Sequence, residues 1–196
     1  MGRRELTLKV PAATPGTTAF AGTTPRGQVT IQSVTDSRQF ENKPKDPSTP
    51  SVNGDVAKLS PEQRSTFVGR QRNGFGQAMG DIVLKGQDTV PSKAGQLVSE
   101  GFARQGYTTT SRGTPVDVDV QDFWAWFSPG MWTIDFEARI KCAVNIRGAR
   151  PATLIVNGYG KNQGQIASDQ NWQEAYDAAF RDFLADLSVK LHNAGY

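Results

Sequence analysis

Trp132-Thr133-Ile134-Asp135-Phe136-Glu137-Ala138-Arg139-Ile140-Lys141-Cys142-Ala143-Val144-Asn145-Ile146-Arg147 decides the fold. Its even-numbered residues are apolar, and the odd ones are polar or charged apart from Ala143. A period of two over sixteen residues is a β-strand with one face buried and the other in water. Upstream, Val116 to Phe127 reads as a second long strand, joined to the first at Pro129-Gly130. Downstream, Ala152 to Tyr159 reads as a third.

Register across the first hairpin carries a consequence. A two-residue loop at Pro129-Gly130 would set Val118 opposite Lys141 and Val120 opposite Arg139, which puts apolar and charged residues on one face. A slip of one residue flips every side chain. The hairpin therefore needs an odd loop such as Pro129-Gly130-Met131, or a bulge near Gln121-Asp122. The odd loop turns Trp124 and Trp126 inward and Phe123 and Phe127 outward; the bulge does the reverse. Either way two large aromatics near the tip stand on an otherwise polar face. Phe123, Trp124, Trp126 and Phe127, with Trp132, are the candidate interaction surface, for a partner protein, a second copy of the chain or a lipid surface. The competing expectation is that the 11–27 or the 40–66 loop folds over the outward pair.

Around this meander lie two helices. Over 91–105, Ala94, Leu97, Val98, Gly101 and Phe102 recur at helical spacing, with Gly106 placed for a left-handed cap. From about Asp169 to Asn193, the stripe is Trp172, Ala175, Tyr176, Ala179, Phe183, Leu187 and Leu191, with Ser168 or Asp169 as N-cap. Leu6, Leu8 and Val10 mark a short strand, Gln28 to Thr35 another, and Ile82 to Leu84 a buried run. The sum is an α+β fold: an antiparallel or mixed sheet with two helices on one face and a polar, solvated second face. The 28–35, 91–105 and 116–127 unit forms a right-handed crossover if its strands are parallel. The chain reads as a single domain, 1–196, with a long irregular loop at about 40–66. That loop carries Pro44, Pro47, Pro50 and Pro61 among Ser, Asn, Asp and Lys, too little apolar surface to offset ordering, so irregular structure is expected, with high mobility unless a partner pins it.

Composition narrows the chemistry. Of 196 residues, 22 are Lys or Arg and 19 are Asp or Glu; the balance of +3 is too small and dispersed to mark nucleic-acid binding by itself. One Cys and one His leave no material for a disulfide framework or a multi-histidine metal site. Cys142 falls in the inward phase of its strand, a buried small hydrophobe, and His192 in the last turn of the final helix. Asp117, Asp119, Asp135 and Glu137 could share a sheet face, but Arg139 and Lys141 follow them there, the pattern of a solvated sheet. Gly74-Phe75-Gly76-Gln77-Ala78-Met79-Gly80 has the spacing GxGxxxG and runs into strand residues, unlike a dinucleotide fingerprint, which opens a helix. It reads as part of a glycine-rich loop at 69–80. Beside it, Arg70, Arg72, Asn73, Gly74 and Gly76 form a candidate anion- or nucleotide-binding site. No cofactor and no metal are expected, and neither enzyme activity nor nucleic-acid binding.

The strand Val29-Thr30-Ile31 ending in Asp36-Ser37-Arg38, the helix end Gly101-Phe102-Ala103-Arg104-Gln105-Gly106-Tyr107 and the alternating strand pair after it resemble the YajG-type lipoproteins of Gram-negative bacteria, over roughly residues 5–193. The 40–90 region is more elaborate than in that family. The resemblance implies a periplasm-facing domain held at the outer membrane by an N-terminal lipid. It further implies a non-enzymatic binding or assembly role with envelope proteins or as a homo-oligomer, and brings no catalytic residues. The strand-like start at Glu5-Leu6-Thr7-Leu8 is no signal-peptide core, so the N-terminus reads as trimmed, with the lipid-bearing Cys absent.

Overall fold

A computed structural model of the chain describes residues 3–12, 25–72, 77–129, 134–164 and 168–196. Its eight strands form one mixed sheet and its helices complete an α+β fold. The centre is β6 (Thr114–Pro129). Along one edge it pairs antiparallel with β7 (Ile134–Ile146), which pairs in turn with β8 (Ala152–Gly164). Its other edge is shared. The first half takes β2 (Gly27–Asp36) in parallel, followed outward by the short β5 (Tyr107–Thr109). The second half meets β3 (Phe67–Arg72) at Gly69 and Ala125, followed by β4 (Ala78–Leu84) and β1 (Arg4–Leu6). The short α1 (Pro61–Arg64) precedes β3.

Two helices cover one face. In α2 (Val90–Arg104) a capping box of Thr89 and Ser92 opens the helix, and Gly106 at φ 85° closes it as expected. Its predicted stripe is buried, and so is Lys93, whose ammonium lies 2.8 Å from Asp88. The predicted bounds of α3 (Asp169–Asn193) and its Ser168 cap hold. Phe180 and Leu184 join its buried stripe. Where α3 crosses α2, a Cβ on Gly101 would come 2.3 Å from Leu187 Cδ2.

The approach of α3 to β8 is closer still. A Cβ on Gly160 would lie 2.0 Å from the Ala175 carbonyl oxygen and 2.4 Å from the Ala179 nitrogen; one on Gly158 would lie 2.4 Å from the Ala179 oxygen. The Gly158-Tyr159-Gly160 step lets helix backbone rest on strand backbone. From there α3 reaches round the outer edge of β8. Asp186 Oδ2 accepts from the Asn157 N–H at 2.8 Å, Asp182 Oδ2 accepts from the Tyr159 N–H at 2.9 Å, and the Lys190 ammonium donates to the Ile155 carbonyl. These three residues are spaced i, i+4, i+8 on one helix face.

Two sequence expectations about the sheet need correction. Residues 69–72 and 78–80 belong to strands β3 and β4 and not to the loop expected over 69–80: Phe67, Val68, Gly69 and Arg70 are all buried, so no alternation shows. The second face is polar and solvated only in part. Charged pairs dress it along β6–β8, among them Arg147–Asp117 at 2.6 Å and Lys161–Asp135 at 2.7 Å. Toward the top of β6 a third layer lies on it, made by residues 38–59.

Candidate functional site

That layer stands on the hairpin tip. The register of β6 and β7 shifts between Val120 and Asp122, so of the two devices that parity allowed the chain uses the bulge, at Gln121. Below it Val118 faces Val144; above it Phe123 faces Ile140 and Trp126 faces Glu137. The Phe pair accordingly turns to the helices. Phe123 stacks on Tyr176 at 5.3 Å between centroids, and Phe127 meets the Trp172 edge at 6.2 Å. The Trp pair turns to the opposite face.

Neither pair forms an exposed patch. Phe123 and Trp124 are 0% exposed, and Trp126 and Phe127 are 7% exposed, which overturns the surface expected there. Trp132 lies outside the described residues. The covering element is the second one weighed, the 40–66 stretch. Val52 is buried against Trp124, Trp126, Phe67 and Val83, with Phe40, Val56 and Leu59 packed around them. Phe40 meets Trp124 edge-on at 5.9 Å, and the Trp124 indole N–H donates to the Pro47 carbonyl at 3.3 Å. The stretch is irregular as expected, save a 3-10 turn at Val56–Lys58 and α1. It is not a free loop, because its few apolar residues find their partners on the sheet. Each buried indole removes on the order of 200 Å² from water, about 5 kcal/mol at 25 cal/mol/Å².

Arg38 locks this layer down, with a side chain 0% exposed. Its Nε and Nη2 grip the Asp36 carboxylate at 2.8 and 2.7 Å. Nη1 donates to the carbonyls of Phe67 and Phe123 at 2.7 and 2.8 Å, and Nη2 also donates to that of Arg64 at 3.1 Å. All five guanidinium N–H groups are used. One side chain thus joins β2, the start of β3, the end of α1 and Phe123 just beyond the β6 bulge, while stacking over the Phe40 ring at 5.1 Å. Across the bulge Arg139 pairs with Asp122 and lies over Trp126 at 5.3 Å. Burial pushes the Asp122 carboxyl above its usual range, with Arg139 opposing.

The arginines of the candidate anion site sit in β3. Arg70, 6% exposed, is a buried strand residue, not the loop arginine expected. Its Nη1 donates to Ser51 Oγ at 3.3 Å. Its Nε makes no hydrogen bond and lies 3.9 Å from Asp81 Oδ1, directly across the β3–β4 pair. Burial lowers the Arg70 pKa and raises that of Asp81, which also accepts from the Asn53 N–H at 2.9 Å. Arg70 lines a cavity of about 590 Å³ with Asn42, Lys43, Val52, Asn53, Gly54 and Asp55. Arg72 is half-buried and donates to the Pro44 carbonyl at 3.3 Å. Asn73, Gly74 and Gly76 lie outside the described residues.

The four carboxylates do not form one cluster. Asp117 and Asp119 stand opposite Asn145 and Ala143, whereas Asp135 and Glu137 stand opposite Ser128 and Trp126 at the far end of β6. Asp117 accepts from Ser33 at 2.6 Å, Asp119 from Ser37, and Glu137 from Tyr159 at 2.6 Å, which with burial pushes the phenol up to about 12. Among the described residues no three His, Cys, Asp or Glu side chains are placed to hold a metal ion. Cys142 is buried, its thiol pKa raised by desolvation. His192 is exposed near the end of α3. Arg38 and Asp122, which organise the site, were missed as functional positions. The Asp36-Ser37-Arg38 strand end was visible, but nothing local says that its arginine reaches residues 26, 29 and 85 positions away.

The fold and site define a two-layer α+β domain with an added layer pinned by a buried arginine. No family model matches the chain, and no curated protein matches it. A solved structure similar to it is that of protein XCC0632 from Xanthomonas campestris, of the family model DUF330. It has 10% sequence identity and a TM-score of 0.48, over 98% of this chain and 95% of that one.

Proposed function

We propose that this chain is a non-catalytic interaction or assembly module of the cell envelope, facing the periplasm and held at the outer membrane by an N-terminal lipid. The observation that supports a module over a catalyst is the commitment of the two arginines that pin the added layer. Arg38 spends every donor on three carbonyls and Asp36, and Arg139 is turned to Asp122. Groups held this way build a rigid scaffold. The envelope assignment rests on the family resemblance of the strand end, the helix end and the hairpin. Cross-linking in native envelopes, followed by isolation of the chain with its partners, tests it. Recovery from the outer-membrane fraction with a bound protein supports the reading; recovery from the cytoplasm alone defeats it.

A second reading is favoured by one observation. The buried Arg70 lines a cavity of about 590 Å³, and a guanidinium suits a small anion. Thermal-shift measurements with phosphate, phosphosugars and nucleotides decide it, since a site-bound ligand raises Tm by mass action. A flat response removes this reading.

A further inference from the structure

Four connections meet at the end of the sheet farthest from the hairpin tip. The Arg26 N–H donates to the Gly106 carbonyl at 2.9 Å, that of Thr110 to Val29 at 2.8 Å, and that of Arg147 to Pro115 at 2.9 Å; the Tyr196 hydroxyl donates to the Arg150 carbonyl at 2.5 Å. Three of them carry exposed arginines: Arg26 before β2, Arg112 before β6, and Arg147 with Arg150 between β7 and β8. Two are held in place by rings. The Arg26 guanidinium lies 5.7 Å from the Tyr107 centroid and that of Arg150 lies 5.5 Å from Tyr196, with the two tyrosines 6.0 Å apart. Opposing charge is scarce. Asp117 is taken by Arg147 and Ser33, and nearby Glu100 by Arg104 at 2.9 Å. Among the described residues Arg26, Arg112 and Arg150 have no acidic partner, and none of the remaining residues of the chain is acidic.

From this we infer that the arginine end docks on the phosphate diesters of an anionic bilayer surface. Three features support that partner. All four cations are arginines, whose planar forks suit phosphate oxygens better than an ammonium does. They are spread over three connections, so they present charge over an area and do not converge on one anion. Two guanidiniums are already ordered by their rings, which lowers the cost of fixing them on contact. Single-stranded nucleic acid would ask for open aromatic faces, and here Tyr196 is buried and each ring already carries an arginine. The inference stands apart from the lipoprotein reading, because a lipid chain would attach the domain whatever its charge.

Co-sedimentation of the unlipidated full chain tests it, using vesicles of phosphatidylcholine alone or with about 30% phosphatidylglycerol, at about 0.05 M salt. The expected result is binding to the anionic vesicles only, lost at high salt. Combining Arg26→Ala, Arg112→Ala and Arg150→Ala should weaken binding by about 100-fold, roughly fivefold per arginine. A second triple variant, Lys45→Ala, Lys58→Ala and Lys85→Ala, removes equal charge from exposed positions away from the arginine end and should bind like the parent. The inference fails if the parent does not bind, if the arginine variant with parental Tm binds as well as the parent, or if the lysine variant falls as far. Tighter binding of the parent to a DNA duplex than to the vesicles at equal salt would overturn it in favour of a nucleic acid.

Discussion

The two faces of the sheet are covered by different means. On one, α2 and α3 lay regular apolar stripes against Val116, Val118, Ile140, Cys142 and Val144, and contact is so close that Gly158 and Gly160 admit no side chain. On the other, an irregular stretch brings only Phe40, Val52, Val56 and Leu59 to two tryptophans, and a buried guanidinium does the rest. A helix satisfies its own backbone and can afford to be held by apolar contact alone. An irregular segment cannot, so polar anchors to carbonyls of the sheet must fix it.

The sharpest way to break this contrast is to remove the tryptophans. Trp124→Ser with Trp126→Ser should cost more than about 5 kcal/mol, comparable to the stability of a whole domain, and abolish cooperative urea unfolding. A double variant that stays folded would show the third layer to be dispensable. Next comes the anchor. Arg38→Met strands the Asp36 carboxylate and three carbonyls, and an expected loss of about 3–5 kcal/mol would appear as a lower urea midpoint. On the helix face, Gly160→Ala drives a methyl into helix backbone, and about 3 kcal/mol should be lost with no change in the pH dependence of unfolding.

The smallest effect separates the covered and the open parts of the second face by proton. Burial raises the folded pKa of Asp81 above its usual value, so in that window the native state holds more protons than the unfolded one and stability falls as pH rises. Relative to Asp81→Asn, the parent should therefore lose stability on going from pH 4 to pH 7. Asp117, on the open face, is shifted the other way by Ser33 and then Arg147. Its contribution is present above the unfolded pKa near 3.8 and disappears as pH falls through the folded value. Relative to Asp117→Asn, the parent should lose stability on acidification below about pH 4. Urea titrations at several pH values read both slopes, and slopes of the same sign would erase the distinction.

The helix face was legible because its information is periodic. The stripe from Trp172 to Leu191, the Ser168 cap and the alternation from Phe136 to Ile146 each repeat a local rule, and parity narrowed the hairpin to an odd loop or the bulge now seen at Gln121. The other face obeys no period. In β3 the residues Phe67 to Arg70 are buried on both sides, and Gly69 reads as loop although it is the point where β3 meets Ala125 of β6. Parity left either the tryptophans or the phenylalanines on the second face, and whether anything lay over them depended on contacts between residue 52 and residues 124 and 126. Arg38 looked like the tail of a strand because its partners are close only in three dimensions.

The grip of α3 on β8 has a consequence for growth. A thirteen-residue outer strand is a ready template on which a further chain can add, copy after copy, into a fibre. Here the amides of Asn157 and Tyr159 and the carbonyl of Ile155 are already taken by Asp186, Asp182 and Lys190. Polymerisation along this edge must first pry the last helix away, so the contacts that bury the core also decide where the sheet stops.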